Sequence, residues 1–211
     1  MDESLLQNRD YTFIIARTAD ESAPKAPRFA ERWTDALDAI SNLARQCEAY
    51  DPDGISLYIA SKEEGETGEF RCYASVTSDR LIDTVRQHFP PPRVALQPVL
   101  KTALDSYFVR KAAGRTKANG EIILVVLDGE PSDRMAIART IRDASNQMEL
   151  NEELGISFIQ IGDDAIAAGF LSALDSNLQA SGARFDIVYT KQLEQIQPDS
   201  ITDFLISTVL E

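Results

Sequence analysis

The run Glu121-Ile122-Ile123-Leu124-Val125-Val126-Leu127 is the strongest indication of fold class in this chain. After the glutamate it is entirely apolar and rich in β-branched side chains, which is typical of a strand buried on both faces. Polar segments bound the run, because residues 114–120 form a predicted loop and Asp128-Gly129-Glu130-Pro131 is a turn sequence. A short apolar run between two turn signals predicts a central strand of a parallel sheet.

Five further runs are predicted to be strands, and helical segments separate most of them. The strands are residues 11–16, 55–60, 70–75, 155–161 and 185–189. Helical spacing of apolar residues predicts helices at 29–47, 77–88, 96–111, 133–148, 164–179 and 199–210. Because strands and helices alternate, we expect an α/β fold: a Rossmann-like doubly wound three-layer sandwich of about six strands with helices on both faces.

One connection departs from this alternation. Residues 61–69 are charged and contain glycine, and this segment is too short to hold a crossover helix. The strands at 55–60 and 70–75 should therefore form an antiparallel hairpin. The sequence thus predicts a mostly parallel sheet with one antiparallel edge strand.

Length and charge limit the possible partners. The chain has 211 residues, which suits one domain at 10–211 after a short tail at 1–9. Its net charge of −13 argues against nucleic acid and anionic membranes, and favours a basic protein partner or bound cations, or serves solubility alone. No apolar stretch approaches the ~18 residues that span a bilayer, and no signal peptide is evident, so we expect a cytoplasmic protein.

The residues best suited to chemistry have ordinary structural explanations. Cys47 and Cys72 form no metal-binding pattern, and we expect two buried thiols. His88, the single histidine, is expected to be a cation at a helix end. Asp163 and Asp164 are expected to cap the next helix. Because no nucleophile or phosphate-binding motif accompanies these residues, we expect a protein that is not an enzyme.

Several stretches together resemble a bacterial von Willebrand factor A (vWA) domain. They are YTFII at 11–15, RW..AL.AI..LA..C...DPDGI.LY at 32–58, ILVVLDGEPSD at 123–133, GISFIQIGDD at 155–164 and FL.ALD..L...GARFDIV at 170–188. The resemblance covers the chain from about residue 10 to its end. It implies a protein-binding domain built around a metal-ion-dependent adhesion site, where three loops supply oxygen ligands to Mg²⁺ or Mn²⁺.

The resemblance also places the adhesion-site positions on this chain. The usual Asp-x-Ser-x-Ser motif falls on Ala16, Thr18 and Asp20, the usual threonine of the second loop on Val94, and the usual aspartate of the third loop on Asp128. Since Ala16 and Val94 offer no ligand atom, we expect a degenerate site without metal or other cofactor. The alternative is weak Mg²⁺ or Mn²⁺ binding by Thr18, Asp20 and Asp128.

Charged residues flank the same loops and suggest how a partner would bind. The possible partner-binding rim consists of Arg17, Glu21, Arg93 and Glu130. Either arginine would take a partner carboxylate as a bidentate pair, or would instead pair with Asp20 or Asp128. The remaining alternative is a rim that is plain solvated surface.

The expected function is therefore non-enzymatic protein–protein interaction. The resemblance implies a partner such as a sister vWA protein or a regulatory kinase, phosphatase or ATPase. The alternatives are a metal-dependent vWA binding domain or a weak hydrolase that uses Asp20 and Asp128 on a cation, and a structural partner of an intact sister vWA domain.

Overall fold

The computed structural model describes residues 2–18, 26–61 and 69–210, and within the first helix the side chains from Trp33 onward. In these ranges the domain has six strands and six α-helices. The strands are β1 Asp10–Ala16, β2 Ile55–Ser61, β3 Glu69–Val76, β4 Glu121–Leu127, β5 Leu154–Gln160 and β6 Val188–Gln192. The helices are α1 Ala26–Tyr50, α2 Ser78–Arg86, α3 Gln97–Ala112, α4 Arg134–Ser145, α5 Ala165–Asn177 and α6 Ile201–Val209.

The strands form one sheet in the order β3-β2-β1-β4-β5-β6. All neighbouring pairs are parallel except β2 and β3, which form the expected antiparallel hairpin at one edge. β4 lies between β1 and β5 and is buried along its whole length, as its apolar run predicts. The predicted doubly wound architecture is confirmed.

Helices cover both faces of the sheet and divide the core in two. α1, α2 and α6 share one apolar cluster, and α3, α4 and α5 share the other. β4 supplies both clusters by alternation, since Leu124 and Val126 belong to the first and Ile123 and Val125 to the second. In the described ranges no helix has the length and hydropathy needed to cross a membrane.

The last strand begins later than its apolar run suggests. The sequence predicts a strand at 185–189, but β6 pairs with β5 only from Val188 onward. Phe185 is held elsewhere, because its amide donates to Ser145 Oγ at 2.8 Å and its carbonyl accepts from the same hydroxyl at 2.9 Å. These bonds to the end of α4 keep Phe185 out of the sheet, so the predicted strand boundaries were wrong.

The amino-terminal segment packs on the domain. A 3₁₀ turn at Glu3–Leu5 precedes Leu6, which is buried in the first apolar cluster. Arg9 is also buried, and its guanidinium donates to the carbonyls of Leu5 at 2.8 Å and Glu152 at 2.7 Å. Of residues 2–9, the segment predicted as a tail, Leu6 and Arg9 are therefore buried, whereas residues 2–4, Gln7 and Asn8 are exposed.

The two cysteines differ in environment. Cys47 is buried in α1, as expected, whereas Cys72 is exposed on the edge strand β3. The prediction of two buried thiols was wrong for Cys72, because β3 has a neighbouring strand on one side only.

A buried carboxylate joins β1 and β4 at their amino ends. Glu121 accepts a hydrogen bond from Thr12 Oγ1 at 2.6 Å, and its other oxygen lies 2.5 Å from Arg110 Nη2. Removal from water raises the pKa of Glu121, and both partners oppose that rise. These contacts tie α3 to the two central strands.

α6 approaches β5 closely at a glycine. A β-carbon added at Gly155 would lie 2.4 Å from the carbonyl oxygen of Thr208. Nearby, Ser157 Oγ lies 2.6 Å from Thr208 Oγ1 in the same interface. The absence of a side chain at Gly155 therefore sets the depth at which the last helix docks.

Gly155→Ala should lower the free energy of unfolding by about 1–3 kcal/mol, because the added methyl overpacks the interface. Gly169→Ala in α5 is the matched control, since no atom lies within 4 Å of its new methyl group. That control should raise stability by up to ~1 kcal/mol through helix propensity. Urea unfolding followed by circular dichroism measures both, and equal stability of Gly155→Ala and the unchanged protein would contradict the close packing of α6.

Candidate functional site

The candidate site lies where β1 and β4 end side by side. Ala16 and Leu127, the last residues of these strands, are register partners. From β1 the sheet continues to β2 on one side, and from β4 to β5 on the other, so the strand order reverses here. Open parallel sheets bind ligands at this carboxyl edge. The loops that follow the two strands bring Thr18 and Asp128 together.

Asp128 is the centre of a compact hydrogen-bond cluster. Its Oδ1 accepts from Thr18 Oγ1 at 2.8 Å, and the Thr18 amide lies 3.2 and 3.1 Å from its two oxygens. Its Oδ2 also accepts from Trp33 Nε1 at 3.1 Å. Removal from water raises the pKa of Asp128, and the bonds from Thr18 and Trp33 partly oppose this. The carboxylate is thus held by donors of the chain itself.

Trp33 is the member of this cluster that sequence reasoning missed. The helical pattern predicts a core residue, and Trp33 is indeed buried, with 4% of its surface exposed. A buried indole nevertheless needs an acceptor for its N–H, and Asp128 provides one. That requirement was the available signal, although nothing in the sequence pairs residue 33 with residue 128.

Arg17 points away from the expected rim. Its Nη2 donates to the carbonyl of His88 at 2.5 Å and lies 3.4 Å from that of Val85, at the carboxyl end of α2. Its guanidinium carbon also lies 5.6 Å from the Trp33 ring centroid, a cation–π geometry. Partial burial lowers the pKa of Arg17, and the nearby charge of Asp128 opposes this. Arg17 therefore supports the site through its contacts with Trp33 and with the end of α2.

His88 lies just beyond the end of α2, as predicted, and its ring contacts two other elements. Its Nε2 lies 2.7 Å from Tyr73 Oη, and its Nδ1 lies 3.1 Å from Ser61 Oγ. The ring therefore contacts the β2–β3 hairpin, while Arg17 supplies the cation at the end of α2.

In the second loop, the side chain at the predicted ligand position is buried in the core. Val94 is 7% exposed and packs in the second apolar cluster, as does Ala16. The loop is fixed by Asp133, whose oxygens accept from the amides of Leu96 at 3.1 Å and Gln97 at 2.7 Å. Ala16 and Val94 are accordingly packing residues.

The remaining rim residues have separate environments. Glu130 pairs with Arg134 at 2.7 Å, and Arg93 is exposed. Asp20 and Glu21 lie outside the described residues. Within the part of the chain that is described, neither Arg17 nor Arg93 forms an ion pair with Asp128. The alternative pairing with Asp20 lies outside the described residues.

Two of the four adhesion-site positions that the structure describes, Ala16 and Val94, have no side-chain oxygen. Mg²⁺ requires octahedral oxygen ligands, whereas Ala16 and Val94 have none and Thr18 bonds to Asp128. Among residues 2–18, 26–61 and 69–210 no group of three or more His, Cys, Asp or Glu side chains is placed to hold a metal. Asp164 caps α5 as predicted, accepting from the Ile166 amide at 2.8 Å.

Trp33 is the only tryptophan in the chain, so its emission should report the charge of Asp128. Protonation weakens Oδ2 as an acceptor for the indole N–H, and the raised pKa places the midpoint above the ordinary aspartate value of about 4. A fluorescence titration on lowering the pH should show this step in the unchanged protein and in the surface control Asp105→Asn. Persistence of the step in Asp128→Asn would contradict the assignment.

Comparisons with known proteins show similarity at the level of structure. No family model matches the sequence, and no curated protein matches it. A von Willebrand factor type A protein from Catenulispora acidiphila matches with a TM-score of 0.50 and 13% identity, covering 95% of this chain and 42% of that one. The manganese-loaded TRAP protein of Plasmodium vivax matches with a TM-score of 0.53 and 12% identity, covering 90% and 73%.

A third solved structure is the pilus adhesin SpaC from Lactobacillus rhamnosus GG, with a TM-score of 0.53, 10% identity, and coverage of 96% of this chain and 30% of that one. This chain thus spans less than half the length of the Catenulispora and Lactobacillus proteins. At such low identity the likeness concerns the fold alone. The six-stranded sheet, its single antiparallel edge and these matches together show that the chain has a vWA-like fold.

Proposed function

We propose that this chain is a non-enzymatic protein-interaction module of vWA type that binds its partner at the carboxyl edge of the sheet without a metal ion. One observation carries the proposal: the carboxylate of Asp128 is already bound by Thr18 and Trp33. In this arrangement the site is a degenerate adhesion site, closed by hydrogen bonds where a metal-dependent domain would use a cation.

The environment of the other adhesion-site positions supports this proposal. Ala16 and Val94 are buried among apolar side chains, so a cation beside them would gain no ligand and would lose its hydration. The nearby Arg17 adds a positive charge that opposes a second cation. A metal-free interaction site is the simplest function for this set of residues.

The polar groups at this edge also support a role in binding rather than catalysis. Asp133 and Asp164 bond to backbone amides at the starts of α3 and α5, and Asp128 bonds to Thr18 and Trp33. Carboxylates that make such hydrogen bonds hold loops in place. We accordingly propose no catalytic residue and no cofactor for this chain.

The partner is proposed to be a protein. A similarly folded solved structure is an adhesin, which supports an interaction role. A sister vWA protein or a regulatory kinase, phosphatase or ATPase remains the proposed partner class. The two free cysteines suit the reducing cytoplasm, which we propose as the location.

Photo-crosslinking in the organism that encodes the chain tests the binding edge. A benzoylphenylalanine at exposed Ala95, on the carboxyl edge, should form a protein adduct that survives added chelator. The same probe at Ala118, exposed on the loop before β4, is the control. Arg93→Glu should weaken the Ala95 adduct about tenfold, because it reverses a rim charge. Adducts from Ala118 alone, or adducts abolished by chelator, would reject the proposal.

Calorimetric titration of Mg²⁺ and Mn²⁺ into chelator-treated protein tests the metal-dependent alternative. We expect no saturable heat, because Thr18 and Asp128 bond to each other. Asp128→Ala is the control variant. Binding on the order of micromolar that disappears in Asp128→Ala would instead support a site of Thr18, Asp20 and Asp128. If metal binding is absent, co-purification with an intact sister vWA domain would favour the structural-partner alternative.

A further inference from the structure

A groove runs between α3 and α4, on the face of the sheet opposite α1. Its volume is about 390 Å³. Leu104 and Ala144 are buried at its floor, and Phe108 is half-buried beside them. Gln97 Nε2 donates to Thr140 Oγ1 at 3.1 Å, which ties the first turn of α3 to the middle of α4. The groove therefore has fixed walls and an apolar floor.

The charged side chains along the groove have a polarity. α3 and α4 start side by side and run in the same direction. Lys101 and Arg139 line the groove nearer the starts of the two helices, and Asp105 and Asp143 follow one turn later. One end of the groove is therefore cationic and the other end is anionic.

These four charges are accessible to a partner. The side chains of Lys101 and Asp105 are 56% and 60% exposed, and Lys101 Nζ lies 2.5 Å from Asp105 Oδ2. Asp143 is 62% exposed and pairs with Arg142 at 2.8 Å. Arg139 is exposed and, over the described ranges, makes no ion pair. Because exposed ion pairs of this kind contribute little to stability, they can exchange partners at small cost.

A second copy of the chain carries the charge pattern that complements this groove. A twofold axis that crosses both helices midway between Lys101 and Asp105 reverses the direction of the second groove. Lys101 then faces Asp105 of the other copy, and Arg139 faces Asp143 of the other copy. Such a surface is self-complementary, as the interface of a closed dimer requires. The four lining charges sum to zero, so this surface is locally neutral although each chain carries a net charge of −13.

We infer that two copies of this chain form a twofold dimer through the α3–α4 groove, in which Lys101 and Arg139 of one copy pair with Asp105 and Asp143 of the other. Val109, one turn beyond Asp105 on α3 and 63% exposed, adds apolar area on the same side of that helix. This inference goes beyond the proposed function, because it concerns a different surface and a different partner. In the dimer the two carboxyl edges point in opposite directions, so one assembly presents two partner sites.

Charge exchange in the full-length chain tests the dimer. Lys101→Glu combined with Arg139→Glu makes the groove wholly anionic, and Asp105→Lys combined with Asp143→Lys makes it wholly cationic. Each double variant alone should self-associate about tenfold more weakly than the unchanged protein, because like charges then face each other. An equimolar mixture of the two should associate again, since every facing pair is then of opposite charge.

Sedimentation velocity at protein concentrations from about 5 to 200 µM covers the range of a weak dimer. Arg80→Glu combined with Arg86→Glu is the matched control. It changes the net charge as much as the anionic variant does, but at exposed positions of α2 on the other face of the sheet. Self-association of this control should equal that of the unchanged protein.

An unchanged protein that stays monomeric over this range would overturn the inference and leave the groove to a helix of another protein. Dimers that persist in both groove variants would place the interface elsewhere. Variants that remain monomeric when mixed would likewise reject the facing charge pairs.

Discussion

A half-buried carboxylate, Asp128, holds the carboxyl edge together. It follows the central strand β4 and takes donors from the loop after β1 and from α1. A charge withdrawn from water must be satisfied by such donors, or the fold loses stability. Three segments distant in sequence therefore depend on one side chain for their relative positions. Arg17 extends the arrangement to α2, which places four elements around the same group.

The cluster around Asp128 also supports the proposal that this vWA-like fold holds its loops together without a metal ion. The resemblance to vWA domains implies that, in metal-binding members of the family, a cation joins these loops. Here Thr18 and Trp33 join them through neutral donors, and Ala16 and Val94 add apolar packing at the strand ends. The loops keep their places through bonds that need no exchangeable ion. Under the proposed function, such a site would bind constitutively, with its surface preorganised before the partner arrives.

The sequence predicted the architecture well, because burial on both faces leaves a strong apolar signal in each strand. It failed where a local contact competes with pairing, as at Phe185, which Ser145 holds outside β6. It also failed for side chains with two roles. Trp33 was correctly assigned to the core, but its indole donor and the inward turn of Arg17 depend on contacts far away in sequence. The sequence did not predict that Cys72 is exposed, because strand propensity does not show whether a strand lies at the edge of the sheet.

The pairing of β1 with β4 has a consequence for folding during synthesis on the ribosome. Thr12 and Glu121, which bond across these strands, are 109 positions apart. A ribosome that adds about 5–20 residues per second needs roughly 5–20 s to deliver the second strand after the first. During that interval β1 has β2 as its available neighbour, and the backbone groups along its other edge, which pair with β4 in the finished sheet, have no strand partner. Until β4 is synthesised, this unpaired backbone edge can pair with a strand of another chain, so the order of synthesis leaves the centre of the finished sheet as a temporary edge.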